Sequence, residues 1–105
     1  MLSDVVRLVS KSCQGVLIKA EYDDQRWKLE SWKNGKKYKY YVHPLTLEVV
    51  DGQVKTDPWR TMPSKGAPTM LGIVEKLEKM GGAIPKKVKF TDKGVWKADV
   101  YFTKD

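Results

Sequence analysis

Apolar residues recur at two periods along this chain, and each change of period marks an element. Val5, Val6, Val9 and Cys13 fall at helical spacing behind Ser3, a good N-cap residue, which predicts a first helix stopping near Gly15. From Val16 the period becomes two. Val16, Ile18, Ala20 and Tyr22 alternate with Leu17, Lys19 and Glu21, which predicts a strand. Asp23-Asp24-Gln25 turns the chain, and Trp27, Leu29 and Ser31 then alternate with Lys28, Glu30 and Trp32. Asn34-Gly35 is a strong hairpin signal, because both residues tolerate positive φ. A third strand, Lys36 to His43, puts Tyr38, Tyr40 and Val42 on one face and Lys37, Lys39, Tyr41 and His43 on the other. Pro44 stops it, and Leu47 to Val50 predicts a short fourth strand before Asp51-Gly52.

Between 51 and 69 the period is lost: Pro58, Pro63 and Pro68 with Gly52 and Gly66 argue against a long regular element. Trp59 and Met62 are expected to pack this segment back onto the body, an exposed partner anchor being the other reading of Trp59. The pattern then restarts. Thr69 caps a predicted helix carrying Leu71, Ile73, Val74, Leu77 and Met80, which Gly81-Gly82 closes. Ile84, Val88 and Phe90 predict a strand, Asp92-Lys93-Gly94 a turn, and Trp96, Ala98, Val100 and Phe102 alternate with Lys97, Asp99, Tyr101 and Thr103.

Aligned on Trp27 and Trp96, WKLESW recurs as WKADVY, each behind a helix, a glycine stop and a strand. Two copies make a duplication and not a solenoid. The expected organisation is a first unit at 1–52, a Pro/Gly-rich connector at 53–68 and a second, truncated unit at 69–105. A unit of ~35–50 residues is marginal alone, so the two are expected to share one compact body. The fold class expected is α+β, with helices packed on antiparallel β-sheet and the helix–strand–strand unit duplicated.

Composition narrows the function more than it names it. The 105 residues are 41% hydrophobic and 31% charged, as in an ordinary globular domain, and no apolar run approaches the ~20 residues of a membrane span. No transmembrane segment or cofactor is expected. One cysteine and one histidine exclude an intramolecular disulfide and a multi-histidine zinc site, so no metal is expected. Cys13 lies on the apolar helical stripe and reads as a small buried hydrophobe, while a nucleophilic thiol would need His43 beside it, which the spacing does not provide. His43 reads as a strand-end residue, the other reading being a lone metal or haem ligand. Asp23-Asp24 reads as a turn, and the glycines form neither a GxGxxG nor a P-loop pattern. No catalytic constellation emerges, and the chain is not expected to be an enzyme.

The net charge of +7 changes the picture. It fits a solvated surface or a face for an acidic partner. Three arginines among the twenty cations weaken a nucleic-acid reading, because arginine is the preferred bidentate reader of phosphate and guanine. If the Trp27/Tyr38/Trp96 parity faces the helices, the other face carries Lys28, Trp32, Lys37, Lys39, Tyr41, His43, Lys97 and Tyr101, together with Glu30. Those eight are the candidate binding face. Rings among lysines suit a protein or ligand surface and could also stack single-stranded bases. They equally suit cross-strand pairs that only stabilise the sheet.

The segments IKAEY, DDQRWKLESW, NGKKYKYYV and HPLTLEVV, behind a helix, resemble the PepSY family of small α+β modules. That family commonly ends its strand in aromatic-x-V-D-P-x-T-G-E-V, where this chain has Tyr41-Val42-His43-Pro44-Leu45-Thr46-Leu47-Glu48-Val49-Val50, with His43 for Asp and Leu47 for Gly. Residues 69–105 look like a second, shorter copy. The resemblance implies a non-catalytic, exported module that binds or restrains another protein, such as a peptidase or an envelope protein. It implies a periplasmic or secreted location if a signal peptide has been removed from ahead of Met1, and a cytoplasmic one otherwise. A small nucleic-acid- or polyanion-binding protein using the same face is the alternative.

Overall fold

The computed structural model describes residues 1–81 and 83–102; Gly82 and Thr103, named above in the second helix stop and the last strand, lie outside the described residues. Element order is α1 (Leu2–Ser10), β1 (Val16–Asp23), β2 (Arg26–Lys33), β3 (Lys36–Val42), β4 (Val49–Thr56), α2 (Met70–Glu78), β5 (Ala83–Phe90) and β6 (Trp96–Phe102). All six strands join one antiparallel sheet in the order β4-β3-β2-β1-β5-β6. The fold is therefore α+β, with two helices and a six-stranded antiparallel sheet.

Both helices lie on one face of that sheet. Leu2, Val5, Val6 and Val9 of α1 and Met70 and Val74 of α2 form one core with Leu17, Ala20, Leu29, Tyr40, Val42 and Val88 from four strands. Trp27, Tyr38 and Trp96 pack around this core, as their parity predicts. Each of two hairpins is closed by an edge-to-face aromatic pair, Tyr22 with Trp27 and Phe90 with Trp96, both at 5.1 Å between ring centroids. Edge-to-face is the geometry that the ring quadrupoles favour.

Several local expectations change. α1 begins at Leu2, so Ser3 is buried inside the helix and does not cap it. Its backbone N–H instead donates to the Glu78 carboxylate of α2 at 3.0 Å, an anion at a helix N-terminus supplied by a distant residue. Replacing Glu78 with alanine is expected to cost about 0.5–2 kcal/mol, the usual range for a lost N-terminal cap, read by urea unfolding. Thr69 does cap α2, its Oγ1 accepting the Gly72 N–H at 3.2 Å.

Strict alternation fails in β1 and β5. The register shifts between Leu17 and Lys19, so Leu17, and not Val16, joins Ala20 in the helix-side core. A shift between Pro85 and Lys87 likewise leaves Ile84 half exposed while Ala83, Pro85, Val88 and Phe90 are buried. A bulge inserts one residue and moves every side chain before it to the other face. The fourth strand is longer than expected, running through Gly52 to Thr56, because β3 supplies partners as far as Lys36. On β6 the predicted inward residues keep their parity, but Ala98 and Phe102 are exposed, since β6 is an edge strand beyond the reach of α2.

Residues 57–69 run as a strap along one end of the sheet. The Asp57 N–H donates to the Gly35 carbonyl at 2.7 Å, the Arg60 guanidinium donates to the Phe90 carbonyl, and the Trp96 indole donates to the Pro68 carbonyl at 3.0 Å. Met62 is half-buried, but Trp59 points outward at 92% exposure, against the expectation that it packs back.

Candidate functional site

The helices leave the second face of the sheet uncovered, and the strand register sets what that face presents. Pairing Lys19 with Glu30, Glu21 with Lys28, and Lys28 with Tyr41 continues the outward parity from β1 to β3. Pairing Lys37 with Lys55, Lys19 with Lys89, Glu21 with Lys87, Lys87 with Asp99, and Lys89 with Lys97 carries it to both edges. Arg26 and Lys86 belong to the same side, one stacked over Tyr41 and the other over Tyr101. Ten cations (Lys19, Arg26, Lys28, Lys37, Lys39, Lys55, Lys86, Lys87, Lys89, Lys97) thus face four carboxylates (Glu21, Asp23, Glu30, Asp99).

Ion pairs neutralise only part of this. Lys28 reaches Asp23 at 2.9 Å, Lys19 reaches Glu21 at 3.5 Å, Lys37 reaches Glu30 at 3.7 Å and Lys87 reaches Glu21 at 3.9 Å. The hydrogen bond and charge of Lys28 hold the Asp23 carboxyl below the usual aspartate range, and Asp23 raises Lys28 in return. Lys86 is raised chiefly by Tyr101, over whose ring its ammonium stands. Lys39, Lys89 and Lys97 have no ion-pair partner among the described residues. Three lysines, Lys19, Lys89 and Lys97, stand directly opposite one another on three adjacent strands. Beside them lies an open recess of about 550 Å³, lined by Lys87, Lys89, Thr91, Asp92, Lys93, Val95, Lys97 and Asp99.

Of the eight residues expected on this face, seven lie there. Lys28, Lys37, Lys39, Trp32 and Tyr41 cluster on β2 and β3, whereas Lys97 and Tyr101 stand on the far edge. His43 does not join them. It sits beyond the end of β3, where Nδ1 accepts the N–H groups of Leu45 and Thr46 at 3.1 and 3.2 Å and so organises the loop into β4. Cys13 lies near the opposite end of the sheet beside Gly15, and burial pushes its thiol up, away from the reactive thiolate.

The aromatic rings are held individually and do not form a platform. The Trp32 indole donates to the Asp57 carbonyl at 2.7 Å, which ties β2 to the strap. The Tyr41 ring covers Gly52, where a Cβ would stand 2.6 Å from it, and the Arg26 guanidinium carbon lies 3.9 Å from the ring centroid. Tyr101 alone is largely exposed, with the Lys86 ammonium 5.4 Å from its ring. Lys19, Lys55, Lys86, Lys87 and Lys89 were outside the predicted face. The alternation Lys87-Val88-Lys89 held the information for β5, but only the β1–β5 pairing joins it to Lys19.

The chain is thus a small α+β protein presenting a basic, uncovered antiparallel sheet. No family model, curated protein or solved structure matches it. Among the described residues no group of three or more His, Cys, Asp or Glu could hold a metal ion, and no helix is long and apolar enough to cross a membrane.

Proposed function

We propose that this chain is a non-catalytic, extracytoplasmic PepSY-like module whose lysine-covered sheet face docks on an acidic surface of another protein, a peptidase or envelope protein that it restrains. The observation that carries the docking is the row Lys19–Lys89–Lys97. Like charges directly opposite on neighbouring strands destabilise a sheet, and a partner's carboxylates relieve that repulsion on binding. An acidic protein suits the face better than nucleic acid, because its cations are lysines apart from Arg26 and its rings offer no continuous stacking surface.

The family assignment is supported by the arrangement of two helix–strand–strand segments. α1-β1-β2 and α2-β5-β6 meet at the antiparallel β1–β5 pair, giving the local order β2-β1-β5-β6. Each hairpin carries its aromatic pair at the same separation, with interplanar angles of 70° and 69°. The extracytoplasmic placement and the restraining role rest on the resemblance of the sequence to that family.

Replacing Lys89 with glutamate separates this function from stability. A carboxylate between Lys19 and Lys97 makes two favourable cross-strand pairs, so the variant is expected to gain about 0.4–2 kcal/mol of stability. Its affinity for fluorescent poly-L-glutamate should nevertheless fall by about tenfold or more, as should recovery of an envelope protein from nuclease-treated extract. Unchanged poly-L-glutamate affinity in this variant rules out docking through the row. Tighter, steeply salt-dependent binding of a single-stranded oligonucleotide of equal charge would replace this reading with the polyanion one.

A further inference from the structure

We infer that the end of the sheet bearing Trp59 is a docking surface for an anionic lipid bilayer, separate from the lysine face. Antiparallel order brings the α1–β1 loop, the β2–β3 and β5–β6 turns and the 57–69 strap to this one end. Exposed Lys11, Lys33, Lys36, Lys65 and Lys93 stand there with Asp57 and Asp92 as the acidic residues. At the opposite end the turns and loops carry Asp23, Asp24 and Glu48 against Lys79. The molecule is therefore polarised along its strands.

Trp59 sits at the basic pole and is held outward. Asp57 is fixed on one side by Gly35 and Trp32, and Arg60 on the other by the Phe90 carbonyl, and the indole between them is 92% exposed. Val95, in the β5–β6 turn, is a second apolar point at the same end. A ring with an apolar body and one N–H, ringed by lysines, matches the headgroup region of an anionic membrane. Tryptophan settles at that depth, and each lysine near the surface adds attraction. Strands standing along the membrane normal would leave the lysine face free for its protein partner.

The test is co-sedimentation of the full chain with vesicles of equal parts phosphatidylglycerol and phosphatidylcholine, and with phosphatidylcholine alone. Binding is expected only to the anionic vesicles and should weaken with salt. Trp59→Ala should lower partitioning by about tenfold and remove the blue shift of tryptophan emission seen on binding. Lys33→Glu with Lys36→Glu should lower it by at least about 25-fold, at about fivefold for each charge near the surface. All three sites are exposed, so these variants should melt with the unaltered protein. Lys39→Glu, in the middle of β3 on the sheet face, should bind vesicles nearly as well as the unaltered chain, which distinguishes this end from the sheet face. Absence of binding to the anionic vesicles overturns the inference. So does binding that Trp59→Ala and the double charge reversal leave unchanged, or binding that Lys39→Glu alone abolishes.

Discussion

Replacing Gly15 with alanine is expected to lower the unfolding free energy by about 2–5 kcal/mol, a large share of a small domain's total. Two costs combine there. Gly15 has φ +76°, a left-handed conformation that costs an L-residue about 1–2 kcal/mol. A Cβ at this position would also stand 2.0 Å from the Trp32 carbonyl oxygen and 2.7 Å from the Lys33 Cβ, so β2 itself would have to move. Backbone displacement of that kind typically adds 1–3 kcal/mol. Gly94 is the control: its φ is +79°, yet nothing lies within 4 Å of its added Cβ, so Gly94→Ala should cost only the conformational part, about 1–2 kcal/mol. Urea unfolding of both variants checks the comparison, and near-equal losses would show that conformation alone, and not the β2 contact, sets the cost. Because Trp32 anchors the strap, Gly15→Ala should also disturb the presentation of Trp59.

Replacing Leu29 with alanine is expected to cost about 3–4 kcal/mol. Leu29 is fully buried, in an interior strand, between Ala20 on β1 and Tyr40 on β3. The lost transfer free energy of the removed carbons adds to that of a cavity that cannot collapse, since sheet neighbours fix the backbone on both sides. Leu29→Met, close in volume, should cost under about 1.5 kcal/mol. Chemical denaturation measures both. If Leu29→Ala loses less than about 1 kcal/mol, the helices can settle onto the sheet and the core is looser than its burial indicates. While folded, Leu29→Ala should retain poly-L-glutamate binding, because Leu29 points away from the lysine face.

Much of the sheet was legible from alternation. β2 and β3 have no bulge between them, and Trp27, Leu29, Ser31, Tyr38, Tyr40 and Val42 take the faces their parity predicts. Asn34, at φ +51°, and Gly35, at φ +79°, make the expected turn. Where a bulge adds one residue, parity reverses, and nothing in Val16–Ala20 or Ile84–Val88 announced which residue would be extra. The candidate face was legible only in part for the same reason. Lys87 and Lys89 follow a bulge, and the opposition of Lys89 to Lys19 depends on a pairing between residues about seventy apart in the chain. His43 was misplaced because parity counts only within a strand, and its imidazole had a nearer use in binding loop amides.

The sequence by itself determined the element types, the helix-facing core of β2 and β3, the Pro/Gly-rich break ahead of α2 and the excess of lysine, because these follow from short-range periodicity, turn chemistry and composition. Only the tertiary structure decided that β1 pairs with β5, that Glu78 supplies the missing cap of α1, that Trp59 is held in solvent and that three lysines share one row. Those outcomes depend on contacts between residues distant in the chain, where register and packing are settled by the whole sheet at once and leave no local period to read.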